Sequence, residues 1–184
     1  MTEARGQMSA GIQRPLRSCG QRTAIRAVIL SALICGLLLC FCACGKPDDI
    51  DISAYADQTI QIIGASDEPV EISVADLKEM ECETIKTHST SDKIGDVRAT
   101  GPWLDTALAP YGVKQEDCSK IIITGADEYD TKLLQDYLKG HPIMLAYGID
   151  GEPLEEDAVP CRIIIRYSDS AYWVRQVTRI ELVH

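Results

Sequence analysis

The residues able to do metal or acid–base chemistry are few and scattered. Three histidines, His88, His141 and His184, lie far apart, and the stretch TIKTHSTSD, Thr84 to Asp92, sets the first of them among hydroxyl side chains. A lone histidine there reads as a metal ligand, a cap or a polar strand end. A zinc site built on these histidines would have to recruit carboxylates to reach four ligands. Beyond residue 44 the thiols are Cys82, Cys118 and Cys161, separated by 36 and 43 residues and without a CxxC pair. One disulfide and a free thiol are arithmetically open, and buried small apolar side chains are the plainer reading. The sequence has no GxSxG, HExxH or phosphate-binding glycine loop, so the local signatures of hydrolases, zinc peptidases and nucleotide binders are absent.

The elements that must position these residues begin after an unusual N-terminus. Residues 1–26 carry five arginines against one acid and precede the apolar run AVILSALICGLLLCFCAC, Ala27 to Cys44. A basic segment followed by an apolar one is the layout of an export signal. At 18 residues the run also has the length of an uncleaved membrane anchor. An internal core helix is disfavoured, because the run has no polar face. Its end, Phe41-Cys42-Ala43-Cys44-Gly45, resembles a bacterial lipobox, with Phe41 where that motif usually has Leu. The expectation is a signal peptide over 1–43, lipidation at Cys44, an acidic tether over 44–57 and one domain over 58–184. Met8 is an alternative start. The protein would then sit outside the cytoplasm, anchored to the membrane.

Beyond Cys44 there are 27 acidic and 13 basic residues, a net charge of about −14. That charge argues against a nucleic-acid partner, which needs a basic surface. It equally disfavours adsorption to anionic lipid, leaving the lipid chain as the membrane contact.

Alternating β-branched residues predict strands at Gln58–Gly64 and Val70–Ser73, with Ser73 capping a short helix, VADLKEM, in a capping-box arrangement with Asp76. Strands follow at 82–88 and 94–100. Gly101-Pro102 reads as a break before a helix in WLDTALAPYGV. In the second half, Ser119–Thr124 reads as a strand buried on both faces, Ala126–Tyr129 as a turn into a short strand, and Leu133–Leu138 as a helix. Strands at His141–Tyr147, Cys161–Tyr167 and Thr178–Val183 complete the set, with Asp150-Gly151 a hairpin turn. The fold class is α+β, with mixed β-sheets and short helices.

Several pieces in the C-terminal half resemble one family: Gly125-Ala-Asp-Glu-Tyr129, Ile143 to Leu154, Val159-Pro-Cys-Arg-Ile-Ile-Ile165 and Tyr172 to Glu181. Upstream, Val74-Ala-Asp-Leu77 and Thr100-Gly-Pro-Trp-Leu104 extend the likeness. Together, over about residues 58–183, they resemble the oxidoreductase molybdopterin-binding domain of the sulfite oxidase family.

The resemblance implies a molybdenum centre held by a cysteine thiolate between the two upstream helices, a suitable soft ligand. The only cysteine in that interval, Cys82, comes too early. The ligand position falls near Thr87, His88 or Ser89. The resemblance also implies basic side chains for the pterin phosphate, and Lys86, Lys93 and Arg98 are the candidates, with solvated strand-end charges as their plain reading. Arg162 matches a family arginine and reads first as a hydrogen-bond donor that organises the fold. Asp127 and Tyr129 read as turn and core residues, and Trp173 as a core anchor. Exported molybdopterin proteins cross the membrane folded on a signal with paired arginines, and this signal has none. The expectation is therefore a lipoprotein with the family fold, no molybdenum cofactor, and a binding or accessory role. Its partner would be an envelope protein or a small ligand. The alternatives are a molybdopterin-dependent oxidoreductase carrying out oxygen-atom transfer, with His88 or no protein ligand at the metal, and a lipoprotein for solute or envelope-protein binding.

Overall fold

The computed structural model describes residues 47–91 and 94–184. The expectations for the signal segment, for Cys44 and for Lys93 fall outside those residues. Among the described residues, no helix is long and apolar enough to cross a membrane.

Among the described residues, eleven strands and three short α-helices alternate irregularly. The first sheet contains β1 (Thr59–Ile63), β2 (Val70–Ser73), β5 (Lys120–Gly125), β6 (Asp130–Leu134) and β11 (Val177–Val183), in the order β2-β1-β11-β5-β6. Only the β1–β11 pair is parallel. A second sheet runs β3 (Cys82–His88), β4 (Asp96–Pro102), β8 (Gly148–Ile149), β9 (Glu152–Pro153). The third is the antiparallel pair β7 (Ile143–Ala146) and β10 (Arg162–Ile165). This is the expected α+β arrangement of mixed sheets. β7 is fully buried and only Arg162 of β10 is half-covered, so this pair forms the centre of the domain, and Tyr147 N–H bonds Thr100 O to join it to β4.

Helix α1 (Val74–Glu79) has the expected capping box: Ser73 accepts from Asp76 N–H, and the Asp76 carboxylate accepts from Ser73 N–H. The hydrogen bonds from Ser73 hold the Asp76 carboxyl below its ordinary pKa. At Asp150-Gly151 both residues have positive φ, 55° and 85°, as a two-residue hairpin demands.

Four expectations need correction. Residues 48–57 do not form a free tether: Ile50 and Tyr55 are buried, and the Tyr55 hydroxyl donates to Tyr147 O (2.7 Å) while accepting Leu154 N–H (3.1 Å). Gly101-Pro102 forms the end of β4 rather than a break between that strand and the helix. The following helix is short, α2 (Leu104–Leu108), with a 3-10 turn at Ala109–Tyr111. The segment 133–138 is not all helix, because β6 continues through Leu134 and α3 covers only Gln135–Leu138. Strand alternation explains this: Leu133 points into the core, while Leu134 is 62% exposed. Finally, β5 is buried on alternate positions only, with Ile121 and Ile123 inside and Ile122 half-covered.

Candidate functional site

The connection from β3 to β4 starts at the position where the resemblance places a metal-binding thiolate, and it lies against the segment that follows β10. Hydroxyl groups tie the two together. Thr87 Oγ1 accepts Tyr167 N–H (3.1 Å), and Thr90 N–H bonds Ser168 O (2.9 Å). Ser89, only 7% exposed, is the centre of the knot: its Oγ accepts Ser91 N–H (3.0 Å) and Ser170 N–H (2.9 Å) and pairs with Ser91 Oγ (2.9 Å). Ser91 Oγ in turn meets Ser170 Oγ at 2.7 Å. A serine hydroxyl offers one donor and two acceptor sites. In Ser89 all three are engaged within the protein.

His88, between the two buried hydroxyl residues, is exposed and lies edge-on to Tyr167, ring centroids 5.1 Å apart. Tyr167 itself has φ 52° and is 59% exposed, a left-handed backbone held by the hydrogen bond to Thr87. His141 stacks on Tyr137, and His184 bonds Gly64 O, so the three histidines do not converge. Among the described residues, no group of three or more His, Cys, Asp or Glu side chains is placed to share a metal ion.

The thiols are equally unsuitable. Cys82 starts β3 and is six residues from His88, about 20 Å along an extended strand. Its Sγ donates to Leu77 O (3.2 Å), and burial raises its pKa, which keeps it protonated. Burial raises the Cys118 and Cys161 thiols as well, and all three cysteines are free, so no disulfide links them.

Two adjoining hollows flank the knot, of about 230 and 320 Å³, sharing Tyr129 and Ala171. The larger is lined by Ser170, Trp173, Asp127, Asp157 and Arg175. Trp173 is buried as expected, its indole N–H bonding Ile165 O and Ser168 Oγ, both at 2.9 Å. Asp127 shapes the turn by accepting Tyr129 N–H, but Tyr129 is 53% exposed and is not the core residue expected. A third hollow of about 270 Å³ holds Arg162 and Arg175 among Asp150, Glu152 and Glu155.

Of the described cation candidates, Lys86 and Arg98 stand directly opposite each other on β3 and β4, and each is paired with a carboxylate. Lys86 pairs with Asp96 (3.1 Å) on the exposed face of the β3–β4 hairpin. Arg98 pairs with Asp48. Arg162 is half-buried with its guanidinium 6.0 Å from the Trp173 ring. It does not organise hydrogen bonds as expected: its Nε is buried without a partner. Burial, followed by repulsion from Arg175, lowers its pKa. Arg175 is neutralised by Glu155 (3.1 Å) and Asp157.

At the position of Thr87 and Ser89 the described residues therefore offer a molybdenum centre no thiolate. Thr87 and Ser89 accept backbone N–H groups of the fold, the thiol of that strand, Cys82, is at its far end, and the larger of the two adjoining hollows sets two carboxylates against one already paired arginine. Sequence reading missed the Ser89 knot and its partners Tyr167 and Ser170. The signal was two hydroxyl-rich segments, Ser89–Ser91 and Ser168–Ser170, both inclined to bond backbone groups. Nothing local says that they bond each other.

A family model for the oxidoreductase molybdopterin binding domain matches residues 46–184. Among solved structures, the chain is similar to the sulfane dehydrogenase SoxCD from Paracoccus pantotrophus, with a TM-score of 0.58 and 21% identity over 70% of this chain. The match spans 38% of that longer chain, and at this identity the likeness shows the fold alone. No curated protein matches the sequence.

Proposed function

The chain belongs to the oxidoreductase molybdopterin-binding domain family, and we propose that it is a surface-anchored lipoprotein that uses the family fold as a binding or accessory module without a molybdenum centre. The observation carrying this reading is the saturated hydroxyl of Ser89 at the place a metal ligand would occupy. The acidic surroundings of the neighbouring hollows support it, since they repel a phosphate-bearing cofactor. The basic and apolar N-terminus ending in Cys44 supports the anchor and a location outside the cytoplasm. The bound partner would be a small ligand or another envelope protein.

A second reading, a molybdopterin-dependent oxidoreductase carrying out oxygen-atom transfer, has one observation in its favour. Arg162 Nε is buried without a partner, and an anion entering that hollow would satisfy it. Thermal denaturation with added molybdopterin cofactor separates the two readings. A protein that binds it at 100 times Kd gains about 2.7 kcal/mol, a rise of several degrees. The binding-module reading expects no shift, and a rise that grows with cofactor concentration would contradict it.

The anchor has its own test. The full chain is expected to incorporate labelled fatty acid and enter the detergent phase, and Cys44→Ala is expected to do neither. Firm membrane retention of unlipidated Cys44→Ala would show an uncleaved anchor instead.

A further inference from the structure

The smaller hollow combines two tyrosine rings, two carboxylates and an unsatisfied hydroxyl. Tyr129 and Asp130 contribute from the start of β6, while Asp169 and Tyr172 contribute from the 3-10 turn after β10. Tyr129 is largely uncovered. Tyr172 is braced from behind by Tyr137, ring centroids 5.0 Å apart, and Tyr137 stacks on His141 at 4.0 Å. Its ring is thus held in place without a ligand.

Asp130 and Asp169 each have one oxygen engaged, by the Thr124 hydroxyl (2.8 Å) and by Ala171 N–H (2.9 Å). Neither takes part in an ion pair among the described residues. Thr131, 5% exposed, also lines the hollow, and its hydroxyl has no partner. Buried hydroxyls without partners are rare in folded proteins and mark where something else completes the bonding. Lys132 is the hollow's one cation among the described residues and is outnumbered by the two aspartates.

Aromatic faces beside carboxylates attract a cation twice, through the ring quadrupole and through charge. The surplus of 27 acidic over 13 basic residues beyond Cys44 raises the local concentration of cations further. An anion would meet the aspartates first. At about 230 Å³ the hollow falls below the roughly 300–1,000 Å³ of drug-sized sites and suits a small head group.

We propose that this hollow binds a small organic cation, an ammonium head group held by the Tyr129 and Tyr172 rings and paired with Asp130 and Asp169. The assignment deepens the binding-module reading and rests on it.

Calorimetric titration of the full chain in a non-ionic detergent tests it with three probes: choline, its neutral isostere 3,3-dimethyl-1-butanol, and inorganic phosphate. Choline is expected to saturate with a Kd of about 1 mM or below and to weaken with salt, the isostere to bind roughly tenfold more weakly, and phosphate not to bind. The double variant Asp130→Asn/Asp169→Asn keeps the geometry of both acceptors, and Tyr129→Ala removes an exposed ring. Each is expected to weaken choline roughly tenfold with an unchanged melting temperature. Choline binding equal to that of the isostere, or unaffected by the double variant, would overturn the proposal. Such a failure in a sample free of molybdenum removes only the ligand assignment. Molybdenum near one per chain in that sample would remove the binding-module reading and this site with it.

Discussion

Ser89→Ala is expected to destabilise the domain by about 1–3 kcal/mol, because the substitution strands the N–H groups of Ser91 and Ser170 in a partly buried junction. A fully buried orphaned donor costs about 1–3 kcal/mol, these two are partly covered, and the methyl group of alanine offers no acceptor. The junction also holds the β3–β4 connection against residues 167–170, so the loss should loosen the wall of both adjoining hollows. His88→Ala is the matching control. Its ring is exposed and touches Tyr167 edge-on, so stability should change by about 0.5 kcal/mol or less. Urea denaturation of the two variants reads the difference directly. The opposite ranking, with His88 costly and Ser89 neutral, would mean that the segment is organised around a group bound by the histidine.

Gly101→Ala should be at least as damaging, at about 3 kcal/mol or more, with failure to accumulate as the extreme. A Cβ at this position would fall 2.1 Å from Leu145 O and 2.9 Å from Ala146 Cα. These are backbone atoms of β7, a fully buried strand that cannot yield as a side-chain tip would. The same close approach lets Tyr147 N–H reach Thr100 O and fasten the central pair to the second sheet. Gly140→Ala is the control, since an added Cβ there meets nothing within 4 Å. Its expected effect is within about 1 kcal/mol of zero and of either sign. Equal stability of the two alanine variants would contradict the tight crossing of β4 over β7.

Local features of the fold were readable in advance because their causes are local. The capping box of Ser73 and Asp76 spans four residues, the Asp150-Gly151 turn two, and the apolar run of β10 signals burial directly. The strand through Leu134 was misread because paired leucines fit either a helix face or a strand end. Residues 48–57 looked like a tether because acids dominate the segment. Its Tyr55 bridges groups 92 and 99 positions away, which composition cannot reveal. The same holds at the site. The absence of a cysteine near His88 is plain in the sequence, whereas the engagement of the Ser89 hydroxyl depends on Ser170, 81 positions beyond it. Lys86 and Arg98 have the residue type a phosphate needs, but their partners Asp96 and Asp48 are set by pairing and by the packing of residues 47–57, which the local sequence does not show.

Elemental analysis of the full-length protein purified from the cells that naturally make it bears most directly on the proposal that the domain carries no molybdenum centre. Under the present reading, molybdenum falls far below one atom per chain and the denatured protein releases no fluorescent pterin. Molybdenum and pterin each near one per chain would contradict it.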